Sequence, residues 1–171
     1  IRWRGLHLAT LEHCHIVDNG RDTRIRGIII GPNFGLFYRI KLDENGHTRT
    51  VRIEHADGRV LELFADGAGG WTDDRAEPID ALRGCIDVDI WPTPQTNSLP
   101  IWRTAWKDDE PVRFAMAWID ASEMSVKRSE QVYTRLDPTH FRYQSGDFER
   151  VIEIDADGLA VSYPGIFATA S

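Results

Sequence analysis

Five dipeptides, Asn19-Gly20, Asn45-Gly46, Asp57-Gly58, Asp66-Gly67 and Asp157-Gly158, punctuate a chain whose intervening segments alternate apolar and polar residues. Such pairs tolerate the positive φ that two-residue hairpin turns demand, so the flanking segments are predicted to pair as antiparallel neighbours. In "TVRIEH", Val51 and Ile53 share one face and Arg52 and Glu54 the other. In "CIDVDIW", Ile86, Val88 and Ile90 stand opposite Asp87 and Asp89. A period of two marks a strand that hides one face, so both segments are expected to be half-buried. Alternation or a short apolar run recurs in "RGIIIG", "LFYRIKL", "VLELFA", "VRFAMAWI", "QVYTRL", "HFRYQS", "FERVIEI" and "LAVSY".

Helix signals are few. "EPIDALRGC" has Pro78 near a first helical position, Ile79 and Leu82 three apart, and Gly84 as a stop, which predicts about two turns. A second short turn after Pro94 is limited by Pro100. So many strands with so little helix cannot lie flat, because a flat sheet leaves its apolar face in water. The fold class expected is mainly β: a single antiparallel sheet rolled on itself, with residues 1–171 forming one domain.

A net charge of −7 opposes the phosphate neutralisation on which nucleic-acid affinity depends, so no nucleic-acid partner is expected. Two cysteines, Cys14 and Cys85, are too few for a disulfide framework and are expected as buried thiols. No apolar run reaches the length of a membrane span, and "IRWRGLHLATLEH" lacks a secretory core, so the protein is expected in the cytoplasm and not within a membrane.

Catalytic and metal signatures are weak. "DGAGGWTDD" lacks phosphate-loop spacing and carries Asp73 and Asp74, which repel anions, so it is expected as a hairpin end. His13 and His15 fall on one strand face, but no second cluster at ligand spacing accompanies them, and no metal or cofactor is expected. Asp87 and Asp89 share a face about 7 Å apart, a spacing compatible with sugar hydrolysis. Two neighbours on one strand nevertheless approach a bond poorly from opposite sides, which favours solvated or arginine-paired aspartates. There is no Gly-x-Ser-x-Gly elbow, which sets serine hydrolase chemistry aside.

The segment "TPQTNSLPIWR", residues 93–103, places five uncharged polar side chains between two prolines and beside Trp91, Trp102 and Trp106. Those side chains can tie down the backbone of an irregular connection. Uncharged donors beside indole rings also suit a polyhydroxylated, partly apolar ligand, with Arg103 as an anion-binding fork at the rim. Trp91, Thr93, Thr96, Asn97, Trp102 and Arg103 are therefore candidate ligand-binding residues.

"GCIDVDIWPTPQTNSLPIWR", followed by "QVYTRL" and "DADGLAVSYPGIF", resembles the bacterial family known as putative glycolipid-binding proteins, from "WRGLHLATLEH" to "YPG". The resemblance implies a spiral β-roll, a half-open barrel around one short helix, similar in architecture to periplasmic lipoprotein carriers. It implies a glycolipid or lipid ligand and adds Gln131 and Tyr133 to the candidate residues. Glu12, Arg39, Asp43, Thr93, Thr96, Asn97, Arg103, Gln131, Tyr133, Arg135 and Tyr163 match its motifs, and the charged ones among them are expected to pair inside the roll. Trp102 departs from the pattern, which has a basic residue there. The function expected is a non-catalytic binding module with residues 93–103 at the mouth of an apolar groove. Its rivals are an enzyme of sugar or lipid headgroups using Asp87, Asp89 or Glu12, and a homodimerising structural domain with a filled core.

Overall fold

The hairpin signals resolve into fourteen strands; the structure, a computed structural model, describes residues 1–170. The first seven strands are β1 (Arg2–Gly5), β2 (Leu11–Asp18), β3 (Thr23–Ile30), β4 (Gly35–Leu42), β5 (Thr48–His55), β6 (Val60–Ala65) and β7 (Trp71–Thr72). The second seven are β8 (Asp87–Trp91), β9 (Pro111–Asp120), β10 (Ser125–Asp137), β11 (His140–Ser145), β12 (Phe148–Ile154), β13 (Ala160–Tyr163) and β14 (Phe167–Thr169). All lie in one sheet, ordered β7-β6-β5-β4-β3-β2-β1-β14-β13-β12-β11-β10-β9-β8, with β7 and β8 as its edges. It is not closed into a barrel. Neighbours are antiparallel except β8 and β9, so the sheet is mixed where the turn signals predicted only antiparallel pairing.

That exception places the helix. Parallel neighbours cannot be joined by a hairpin and need a crossover, here residues 92–110. The crossover makes a 3-10 turn at Gln95–Asn97 and continues into α1 (Ser98–Arg103). Pro100 sits in the first turn of α1, where a missing N–H leaves no bond unmade. The helix expected at "EPIDALRGC" is instead one 3-10 turn, Asp80–Leu82. Pro78 is already bridged to Thr72, and Gly84 is at φ +85 with its N–H on Gly69 O, which leaves space for one turn only.

The two ends of the chain meet as neighbouring strands, β1 beside β14, and the wide twisted sheet curls until the segment leading into β8 reaches β5, where Thr48 N–H donates to Ile86 O. The Trp3 indole donates to Ala160 O at 2.6 Å, Trp71 to Cys85 O at 2.8 Å, and Trp102 to Asp157 O at 2.7 Å. β8, an edge by hydrogen bonding, is wrapped by the roll: Asp87, Val88 and Ile90 are fully buried and Asp89 nearly so. The half-buried strand expected there is corrected, because the curl covers its second face as well. Residues 92–101 are buried with it, so the neutral polar segment lies inside the roll and not at its rim.

Two apolar clusters fill the interior. One is mainly aliphatic and runs from β2 to β6, including Ile25, Ile29, Ile40, Val51, Ile53 and Leu63, against Val88, Ile90 and Leu99. The other is mainly aromatic and is built from β9 to β14, including Phe114, Tyr133, Phe141, Tyr143, Tyr163 and Phe167.

Candidate functional site

Polar chemistry enters the first half of the roll at Gly27. Cys14, Gly27 and Tyr38 stand opposite one another across β2, β3 and β4, and a Cβ on Gly27 would meet the Tyr38 ring at 2.1 Å. The missing side chain lets that ring lie across β3. Its hydroxyl then donates to Glu12 Oε1 at 2.5 Å, with Cys14 Sγ 3.4 Å away. From the crossover, Thr93 donates to the same oxygen at 2.8 Å, while Glu12 Oε2 has no partner among the described residues. Burial raises the Glu12 pKa to about 7, held back by the Tyr38 and Thr93 bonds.

β8 turns Asp87 and Asp89 inward, and the two meet different partners. Arg103, at the end of α1, grips Asp87 with Nε at 3.0 Å from both oxygens and Nη2 at 2.6 Å from Oδ2. Asp89 is held by neutral donors, Thr96 Oγ1 at 2.9 Å and Gln131 Nε2 at 2.6 Å. Thr96 in turn accepts Ile90 N–H at 3.1 Å. The Tyr133 hydroxyl donates to Asn97 Oδ1 at 2.9 Å, and Asn97 Nδ2 to Pro94 O at 3.1 Å. Burial raises both aspartates above the ordinary carboxylate range, against Arg103 at Asp87 and against Gln131 and Thr96 at Asp89.

Between this polar wall and the inner face of the second half lies a cleft of about 560 Å³. Asp89, Thr93 and Asn97 contribute its polar groups, and Trp91, Trp118, Tyr143, Phe148, Tyr163 and Phe167 its rings. The rings meet at steep angles: Tyr143 lies 6.0 Å from Phe148 and 6.2 Å from Tyr163 between centroids, and Trp91 lies 5.9 Å from Phe167. His7, Lys127 and Arg150 add basic groups, with Lys127 Nζ 4.7 Å above the Trp118 ring and Arg150 Cζ 5.0 Å above Phe148. Cations on aromatic faces keep charge beside an otherwise apolar slot.

The candidate residues separate into three groups. Trp91, Thr93 and Asn97 line the cleft. Thr96, Gln131 and Tyr133 are buried behind it, two of them bonded to Asp89 and the third to Asn97. Trp102 and Arg103 line a different cleft, of about 740 Å³, together with Asp18, Asp43 and Asp157. Arg103 is not a free anion-binding fork, because its guanidinium is committed to Asp87. Nor do the matching charged residues all pair inside the roll: Arg39 pairs with Glu54, Asp43 with Arg49 and Arg135 with Asp108 at or near the surface. Glu12 is buried with no salt bridge among the described residues.

Lys127, Trp118, Tyr143, Phe148, Arg150 and Phe167 were not singled out from the sequence. Lys127 and Ser129 share a strand face with Gln131 and Tyr133, so the period-two pattern of β10 already placed them inward. His13 and His15 are exposed, and no metal-binding cluster occurs among the described residues.

The fold and cleft define a rolled-sheet β protein with an internal crossover helix and a partly aromatic cleft. The chain belongs to the family described as putative glycolipid-binding, whose model matches residues 1–169. It is also similar to the crystal structure of a DUF1089 family protein from Pseudomonas aeruginosa, with 31% identity over 93% of this chain and 92% of that one, and a TM-score of 0.81. No curated protein matches the chain.

Proposed function

We propose that the chain binds an amphipathic lipid or glycolipid without transforming it, the apolar part lying along the aromatic rings of β9–β14 and the hydroxyls reaching Asp89, Thr93 and Asn97. The cleft carries this proposal. Its volume of about 560 Å³ falls within the roughly 300–1,000 Å³ of small-molecule sites. It joins ring faces to the Asp89 carboxyl, which pairs with no cation among the described residues and offers its oxygens to hydroxyl donors. Each methylene buried there would contribute ~0.8 kcal/mol. The family's description supports a ligand of this class.

Geometry favours binding over hydrolysis. Of the two aspartates only Asp89 faces the cleft, whereas Asp87 is occupied by Arg103, so the paired carboxylates of a glycosidase are not presented together. The two free, buried thiols, Cys14 and Cys85, suit a reducing compartment such as the cytoplasm. Among the described residues no helix is long and apolar enough to cross a membrane.

Native mass spectrometry after mild purification should show a co-purified lipid mass, and glycolipid titration should quench tryptophan fluorescence saturably. Trp91→Ala and Asn97→Ala should each weaken that titration by about tenfold, the loss of one ring contact or one hydrogen bond to a hydroxyl. Absence of both the mass and saturation would reject the proposal. Turnover of a glycoside that disappears in Asp89→Asn would favour the enzyme instead.

A further inference from the structure

The outer face of β2–β5 has a charge pattern that the fold itself does not need. His15, Arg26, Arg39 and Arg52 stand directly opposite one another on successive strands. Like charges in cross-strand register are destabilising, and three guanidinium groups in one row are a local conflict of the kind that marks functional surface. Glu54 accepts from both Arg39 and Arg52, and Glu62 accepts from Arg52 at 2.9 Å. Arg26 makes no ion pair among the described residues. Asp22, at the far end of the same strands, is held by Arg24 and Lys41.

The next two rows along the strands change character. One is His13, Ile28 and Phe37, ending at Glu54, whose carboxylate is taken by Arg39 and Arg52, and the other is Arg4, Leu11 and Ile30. Leu11, Ile28 and Ile30 are 52%, 51% and 61% exposed, and Leu6, in the turn that leads into β2, is 49% exposed. β3 buries Ile25 and Ile29, so its outward Ile28 and Ile30 contribute nothing to the core. The result is an apolar patch bordered by an arginine row on a chain of net charge −7.

We infer that this face docks on an anionic lipid surface, with Arg26 at the phosphates and Leu11, Ile28 and Ile30 entering the headgroup boundary. Amphipathic surfaces bind membranes by this combination of buried apolar area and attraction to anionic lipid. A second copy fits less well, since a two-fold contact would set the arginine rows of two protomers against each other. Nucleic acid would leave the exposed isoleucines unused. The turn that leads into β2 at Leu11 starts from the cleft, because His7 lines it. Docking would thus bring the cleft beside a source of lipid, although the docking face does not depend on what the cleft holds.

The test is co-sedimentation of the intact chain with phosphatidylcholine vesicles, with and without phosphatidylglycerol. Binding is expected only to the anionic vesicles and should fall with added salt. Arg26→Ser should lose about fivefold in partitioning, the effect of removing one basic residue near an anionic surface. The double variant Ile28→Ser and Ile30→Ser should lose about tenfold or more while keeping the salt dependence. Both changes fall on exposed positions, and unchanged melting curves would certify the fold. Equal binding to neutral and anionic vesicles, no binding to either, or unaltered binding by both variants would overturn the inference. So would concentration-dependent self-association abolished by the isoleucine variant, which would assign the face to a second copy. Fluorescence titration of the cleft is unaffected by these outcomes, so failure of docking and failure of the proposed ligand binding are separable.

Discussion

The two halves of the sheet bury their inner faces by different means. In the cluster centred on β2–β6, three of twenty buried residues are aromatic; in the cluster from β9–β14, six of eleven are. Branched aliphatic chains mesh and close the space between layers. Rings meeting edge to face, as Tyr133 and Tyr143 do at 5.1 Å between centroids, are stiff and leave slots where a partner ring is missing. The aliphatic cluster therefore packs densely, while the rings of the second half leave a cleft between them. Polar crossover residues are inserted between them, so the contrast also separates where stability resides from where a ligand fits.

The seam offers the largest effect. Arg103→Ala would leave Asp87 buried and unpaired, at a cost of about 3–5 kcal/mol in urea denaturation. Adding Asp87→Asn should restore much of that loss, and a cost below about 1 kcal/mol for the single change would mean the pair does not anchor the crossover helix to β8. Next comes Glu12, whose carboxyl pKa rises from 4.5 to about 7 on burial. Between those pH values the folded state keeps a proton that the unfolded chain releases. Stability should therefore fall by roughly 3 kcal/mol as pH rises through this window and level off above it. Glu12→Gln should flatten the profile, whereas a wild-type profile that rises with pH across the window would show that Glu12 is ionised in the fold.

The smallest effect, at Phe148, is read against a residue of the other half. Ile53→Ala in the aliphatic wall should cost about 2–5 kcal/mol, while Phe148→Ala at the cleft should cost only about 1 kcal/mol, because that ring is already 36% exposed. Equal losses in thermal or urea melts would erase the distinction between the dense aliphatic cluster and the ring-lined cleft.

Strands were the most legible part of the chain. In β5 Val51 and Ile53 are buried and Arg52 and Glu54 are not, the alternation that "TVRIEH" shows in sequence, and Gly46 and Gly58 adopt φ +76 and +94 in their turns. The crossover helix was less visible, because its six residues include Pro100 and it is held by packing more than by propensity. At the site, alternation identified the shared face of Asp87 and Asp89 but misjudged its burial, and the polar run at 93–97 was noticed without its depth. Lys127 and Arg150 went unremarked because exposed cations are common and only the curl points these two at a cleft.

By itself the sequence determined the local geometry: where the chain extends, where it turns, and which side chains share a strand face. Those properties follow from φ and ψ preferences of near neighbours and from the two-residue repeat of the pleat. Only the tertiary structure decided that β8 would be covered on both sides, that Arg103 would serve Asp87, and that a cleft would open among the rings of the second half. Such outcomes rest on contacts like that of Glu12 with Thr93, 81 residues apart, which form only when the sheet curls and which no short window of sequence contains.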